Sequence, residues 1–350
     1  MDAAAISGGD DRSILARSPL ARLPDRALRY GLTALSALIL ALIVYFFFRL
    51  LGEARPAFAK EGVLGFVFGN DWNVSAEQFG ALPLLVGTLI TSGLALMIGV
   101  PVAVATALYA TELCPLRLRG PLMMLVELLA AVPSVVYGLW GILWLAPKLH
   151  PLEQAVASAL SWIPFIGGSK ATTTIPNLFI TGLVLAIMIL PIVSAISREV
   201  MATVPADHKE AALGLGATRW EMIRIAVLPY CRGGIVGAAM LGLGRAIGET
   251  IAVTILIGDA PRLGRHLFGQ GYSLAAVIAN EFGEATGLHR SALFAAGVVL
   301  FVLTLLVNAA ARVLVARGSR PRRRELRATG GAEGGIEGAA EGAAAAAAGA

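Results

Sequence analysis

Charge is what this chain has least of. Only 15% of its 350 residues are charged, against roughly a quarter in a soluble globular domain. Hydrophobic residues make up 57% of the chain, and mean hydropathy is +0.76. The apolar residues fall in long runs rather than at scattered core positions, so lipid solvates much of the chain and an ordinary water-soluble domain is excluded. Cysteine is nearly absent. Cys114 and Cys231 both fall on stretches assigned below to the cytoplasmic side, where a reducing compartment argues against a structural disulfide. Neither has a third ligand nearby, so neither marks a metal site. The histidines, His150, His208, His266 and His289, are dispersed and suggest no metal cluster. No G-x-x-x-x-G-K-S/T loop occurs, so the chain does not bind ATP through a P-loop. A cleavable signal peptide is not expected either. The N-terminal stretch is polar and Arg-bearing, and the apolar run after it, about 20 residues, exceeds a signal core.

What is present is a set of six runs, over 31–51, 83–108, 121–147, 177–198, 233–258 and 291–315, each long enough to cross a hydrocarbon core of ~30 Å. The expected fold is an all-α polytopic membrane protein with six transmembrane helices. Gly99, Pro101, Pro133 and Pro191 fall inside runs, which transmembrane helices tolerate. The net charge of +5 is set by Arg and Lys flanking the runs, so topology explains it better than nucleic-acid binding. Basic residues crowd the N-terminal segment, the loop with Arg117 and Arg119, the loop from Arg198 to Arg232 and the stretch from Arg312 to Arg327. These segments are cytoplasmic by the positive-inside rule, and both termini lie on that side. Domain organisation follows: a basic segment 1–27, a membrane domain 28–316 and a tail 317–350 rich in Ala, Gly and Glu. The tail cannot bury a core and is expected to be disordered. Residues 271–283 are apolar but too short to span, and read as re-entrant or surface-lying.

The loop 205–229, PADHKEAALGLGATRWEMIRIAVLP, carries the densest local signals. Asp207 with Glu210 three residues on predicts an N-cap and its capping-box partner. Ala211 and Ala212 keep one face small, and Gly214 and Gly216 permit a sharp turn. A second helix is predicted from Thr218 to Val227, stopping at Leu228-Pro229. The product is a helix–turn–helix knuckle. It resembles the EAA loop of ABC importer permeases through Glu210, Ala211, Ala212, Gly216, Leu228 and Pro229. That pattern's Ile position holds Ala226, beside Ile225. The resemblance implies a knuckle that docks on a separate ATPase subunit and transmits its closure to the membrane helices.

Charges inside the runs are the second signal. Arg245 and Glu249 lie four apart in GLGRAIGETIAVTILIGD, residues 242–259, one above the other if a helix continues through both. Charge at membrane depth is expensive and marks a pathway or an ion pair. Arg245 can offer a guanidinium to a passing anion while Glu249 holds it; a purely structural pair is the other reading. Thr250 and Thr254 add hydroxyls, and Ser134 and Tyr137 follow Pro133. Glu127 is a partner for Arg245 or reaches for the interface. Glu281 and Glu284 could form a carboxylate pair, but solvated charge or a gate-side contact fits better.

Several blocks resemble the PstC family of phosphate-specific ABC permease subunits: 71–92, ELLAAVPSVVYGLWG (127–141), the 205–229 loop, LGLGRAIGETIAVTILIGD (241–259) and LAAVIANEFGEA (274–285). The GRAIGETIAVT block is the most specific, and its AVT separates it from the sister PstA family. The resemblance implies a type I ABC importer permease fold and no cofactor bound by this chain, with ATP and Mg on the partner ATPase. It implies a heterodimer with a PstA-like permease, a PstB-like ATPase dimer and a PstS-like phosphate-binding protein. It implies that Arg245 faces the substrate with Glu249 as its partner; Thr250 and Ser134 join them on the expected substrate path as hydroxyl donors. A permease for molybdate, tungstate or sulfate, and a transporter without an ATPase, are the competing readings.

Overall fold

A computed structural model of the chain describes residues 23–163, 174–262 and 266–318. The expected segment 1–27 and the tail from 317 therefore lie almost wholly outside the described residues. Among the described residues, five helices are long and apolar enough to cross a membrane, over 28–61, 82–113, 178–202, 219–248 and 287–313; a bent pair over 116–159 makes up to six if counted as one span.

The chain opens with α1 (Leu23–Glu61), followed by a short α2 (Val63–Phe68) and a hairpin of β1 (Trp72–Asn73) and β2 (Gln78–Phe79). Pro56 lies inside α1. Close to this proline, Ser291 completes the ladder: its hydroxyl accepts from Ala57 N at 3.1 Å and donates to Glu53 O at 2.8 Å. A side-chain hydroxyl inserted between residues i and i+4 is one way a proline-bearing helix stays satisfied. Ser291 belongs to α13 (Gly287–Gly318), which packs along α1, with Phe47 on Phe301 at 5.1 Å.

The most extensive helix contact joins α3 (Leu82–Leu108) to α7 (Leu178–Ala202). Small residues permit it: a Cβ at Gly182 would strike Leu94, and one at Gly99 would strike the Ala186 carbonyl. Close backbone approach is how helices associate where no hydrophobic difference separates lipid from protein. The N-terminal amides of α7, orphaned by helix geometry, are all claimed. Asn177 Oδ1 accepts from Ile180 N at 2.9 Å, and the carbonyls of Gly269 and Leu267 accept from Leu178 N and Phe179 N.

The third expected span is not one helix. α4 (Leu116–Ala131) ends at an extended Val132, and α5 (Ser134–Trp140), a π-turn Gly141–Leu145 and α6 (Ala146–Ala159) continue at 93°. Val132 is pushed out of helical geometry by the following proline. Tyr137 Oη donates to Leu129 O at 2.8 Å and so satisfies a carbonyl that the break exposes.

The fifth expected span also departs from its prediction at both ends. α8 (Ala206–Gly214) leads to α9 (Arg219–Met222), a π-turn Ile223–Val227 and α10 (Leu228–Gly248). The helix does not stop at Leu228-Pro229 but runs through it, because Pro229 sits where α10 restarts after the π-turn, a position that needs no amide donor. At the far end α10 stops at Gly248, Glu249 is extended, and α11 (Ile251–Ile257) starts anew. The segment 271–283 contains α12 (Leu274–Glu281), whose first turn is buried.

Buried apolar side chains form two clusters. The larger runs through the bundle; the smaller, with Ala107, Leu108, Met201, Ala212, Met222, Ile223, Val227 and Cys231, lies under the knuckle. Cys114 and Cys231 are both free.

Candidate functional site

The knuckle is built from local rules. Asp207 is not its cap: Pro205 precedes α8 and contributes no side-chain cap, with Asp207 inside the first turn. The capping box stands one helix later. Thr218 Oγ1 accepts from Glu221 N at 3.3 Å, and Glu221 Oε2 accepts from Thr218 N at 2.8 Å. Between the two helices Gly216 takes φ +86, a left-handed conformation that favours glycine. Its N–H donates to Leu213 O at 2.9 Å and that of Ala217 to Ala212 O at 3.2 Å, the paired bonds of a Schellman ending.

The knuckle presents a mixed face. Glu210, Ala211, Gly214 and Gly216 are exposed, and so are Leu215 (90%) and Trp220 (60%). Ala212 faces inward against the smaller core cluster. Leu228 is half-buried and Pro229 exposed. Of the motif residues, then, Glu210, Ala211, Gly216 and Pro229 are exposed, whereas Ala212 packs inward against its own protein.

Sequence reasoning missed what ties this knuckle down. Lys209 Nζ meets Glu112 Oε1 at 2.7 Å. Glu112 lies in the π-turn Tyr109–Leu113 that closes α3. Its partner is 97 residues away in sequence, and no periodicity signals such a pair.

The second set lies at two helix breaks. Gly138 faces Ala252 and Ile255, and Gly141 faces Leu256. Hence α5 and α11 run parallel, and Ser134 and Thr250 lie at corresponding ends. Arg245 is exposed on α10, within electrostatic reach of Tyr137. Among the described residues no ion pair joins it to Glu249. The helix ends between them, so the expected stacking of positions four apart does not arise. Glu249 Oε1 instead accepts from Ala252 N at 3.5 Å, at the start of α11. Thr250 Oγ1 donates to Gly248 O at 3.3 Å, and Thr254 Oγ1 to Thr250 O at 2.8 Å. Ser134 is half-buried. Glu127 does not pair with Arg245: it lies 3.8 Å from Arg198 of α7, beside a cavity of about 150 Å³ that both residues line.

At the end of the bundle away from the knuckle, residues distant in sequence converge. Glu281 Oε2 accepts from Trp72 Nε1 at 3.1 Å and lies 2.8 Å from His289 Nε2. The His289 ring stacks on Phe79 at 5.7 Å. Asn280 Nδ2 donates to Tyr272 Oη at 3.2 Å, and burial pushes the tyrosine pKa up. Glu281 is thus an internal anchor rather than half of a pair with Glu284, which is exposed. Among the described residues no group of three or more His, Cys, Asp or Glu could hold a metal ion.

Residues 99–320 match the family of binding-protein-dependent transport system inner membrane components. The chain is 46% identical over 255 residues to the phosphate transport system permease protein PstC of Mesorhizobium japonicum, covering 72% of this chain and 78% of that protein. It is 47% identical over 257 residues to PstC of Pasteurella multocida, covering 72% and 79%. It is 43% identical over 302 residues to PstC 2 of Mycobacterium tuberculosis, covering 84% and 92%. Among solved structures, a chain of a bacterial alginate ABC transporter in complex with an alginate pentasaccharide-bound periplasmic protein superposes with a TM-score of 0.57 at 20% identity, covering 85% of this chain and 99% of that one; this speaks for the fold. With its long apolar helices, the chain is a multi-pass inner-membrane protein of the type I importer fold, and it belongs to the binding-protein-dependent transport system inner membrane components, among the PstC-type permeases.

Proposed function

We propose that this chain is the permease subunit of an ATP-driven importer of inorganic phosphate, with Arg245 facing the translocation path. The observation that carries the reading is the exposure of Arg245 on a membrane-spanning helix, with no ion pair to it among the described residues. A lone guanidinium facing hydrocarbon would be too costly. One facing a water-filled path or a second permease is not, and such a charge marks function. Relatives named phosphate transport permeases supply the substrate class.

In this reading a phosphate-binding protein of the PstS kind delivers the anion to the outer mouth. A PstA-like permease completes the path against the exposed faces of α4, α5 and α10. A PstB-like ATPase dimer binds ATP and Mg and takes the knuckle through Glu210, Ala211, Gly216 and their exposed neighbours. This chain hydrolyses nothing itself. Its termini and the 205–229 loop are cytoplasmic, following the basic residues. Closure of the ATPases rocks the bundle between outward and inward access. During passage Arg245 offsets part of the cost of an anion in a low-dielectric path. Hydroxyls of Thr250 and Ser134, at the adjoining breaks, supply neutral donors. Glu249 sits at the same break and limits how strongly the anion is held.

The test is ATP-dependent uptake of inorganic phosphate by cells lacking their own high-affinity system, expressing this chain with its three partners. Arg245→Gln is expected to lower uptake at least about tenfold, the order of a lost charge-assisted contact, with the complex still assembled. Uptake of molybdate or sulfate but not phosphate would replace the substrate. Transport without the ATPase would overturn the importer reading.

A further inference from the structure

We infer that the Glu112–Lys209 ion pair is a positioning strut, which fixes the knuckle to the end of α3 so that a push on α8 moves the α3–α7 core instead of being lost as slip of α8. The inference rests on the coupling role proposed above and names the residues within this chain that transmit it.

Four observations carry it. First, α8 has nine residues, no side-chain cap at its start and a single buried side chain, Ala212. A helix so short does not hold itself in water, and one methyl in an apolar cluster resists separation but not sliding, because apolar contact is non-directional. Second, the ion pair is directional and close: Lys209 Nζ lies 2.7 Å from Glu112 Oε1, with the Glu112 side chain only 8% exposed. Third, Glu112 is aimed by the π-turn Tyr109–Leu113, which the Cys114 N–H closes on Tyr109 O at 2.7 Å. An inserted residue in a helix rotates all that follows, and such bulges recur at functional positions. Fourth, α3 makes the most extensive helix contact, with α7, so a force delivered to its end reaches the centre of the bundle.

The other pairs of Lys or Arg with a carboxylate among the described residues differ. Arg49–Glu53 lies within one helix and is exposed, Lys60–Glu77 is exposed, and Arg198–Glu127 is longer at 3.8 Å. A buried pair contributes little net stability once desolvation is counted, and its best-attested use is to fix register. Here the register fixed is that of α8 against α3.

The experiment uses the full complex reconstituted in liposomes, with this chain as Glu112→Gln, Lys209→Met and the double variant. The phosphate imported per ATP hydrolysed is measured, with co-purification of the ATPase reporting assembly. Each single variant is expected to lower that ratio roughly five- to tenfold, the size of a typical inter-site coupling, while ATP hydrolysis persists. The double variant is expected to be no worse than either single, since partners in one interaction are non-additive. An unchanged ratio, or losses that multiply in the double variant, would overturn the strut. If a single variant fails to assemble, the double variant, which leaves no orphaned charge, decides: a parental ratio there overturns the proposal. A parent complex that hydrolyses ATP but carries no phosphate would overturn the phosphate reading alone. The strut would then be read from the stimulation of ATP hydrolysis by the binding protein, which the variants are expected to lose and whose retention would overturn it.

Discussion

The knuckle and the end of the bundle away from it satisfy the same physical requirements by opposite means. In the knuckle, backbone groups are paired by residues at most five positions away: the Thr218–Glu221 box and the Ala217 and Gly216 amides on Ala212 and Leu213. At the far end the partners come from across the chain. Trp72 meets Glu281, separated by 209 residues, and Leu274 N donates to Thr88 Oγ1 across 186. Local pairing gives a piece that forms early and can be handled by a partner as a unit. Non-local pairing gives a scaffold that exists only once the bundle has closed. The difference accords with what each end does in the proposed cycle, where the knuckle receives a push and the far end must keep its shape against it.

Three substitutions sharpen that contrast, in falling order of effect. Gly87 lies against the backbone of Tyr272, whose carbonyl a Cβ would overlap, and a main-chain atom cannot rotate away. Gly87→Leu is expected to destabilise the detergent-solubilised protein by about 3 kcal/mol, the upper part of the overpacking range, seen as a lowered thermal midpoint. An unchanged midpoint would show that the loop at Tyr272 is not packed on α3 as described. Thr218→Ala removes the capping hydroxyl and is expected to cost about 1 kcal/mol, confined to the knuckle. Hydrogen exchange should rise at the amides of α9 and stay unchanged in α3 and α7; a global rise would mean the knuckle is not a separate local unit. Asp259→Asn gives the smallest effect. Burial pushes the Asp259 carboxyl above its ordinary pKa, more than its bond with Asn280 lowers it. The folded protein therefore keeps this proton where the unfolded chain has released it. Stability from this group is present on the acid side and is lost as pH rises above the ordinary aspartate value of about 3.9. Asparagine tolerates the positive φ of this position, so the variant should fold and show a flatter dependence of thermal midpoint on pH over that window. An equal slope would assign the dependence to another group.

Legibility followed the range of the interaction. The runs at 83–108, 177–198 and 291–315 correspond to α3, α7 and α13, because hydropathy over some twenty residues is a sum over neighbours. The turn at Gly216 was legible because a glycine is what a left-handed residue calls for. Capping was half-read. Asp207 and Glu210 have the box spacing, yet the chain uses Thr218 and Glu221, which have it too; Pro205 already begins α8. The breaks were read too weakly. Pro133 reads as tolerated inside a single span, and instead the chain turns through 93° there. The stop at Gly248 left no mark that distinguishes Gly-Glu-Thr from helix interior.

The sequence by itself determined that this chain lives in lipid, roughly where it crosses, which loops are basic and where the turn at Gly216 lies, since each depends on composition or on residues within one helical turn. Only the tertiary structure decided that Arg245 stands apart from Glu249, that Glu127 meets Arg198, that Glu281 holds Trp72 and His289, and that Lys209 grips Glu112. Which of many possible charged or polar partners a side chain meets depends on how the loops close and how the helices rotate about their axes. Both are set by the packing of the whole bundle, and neither leaves a period in the sequence.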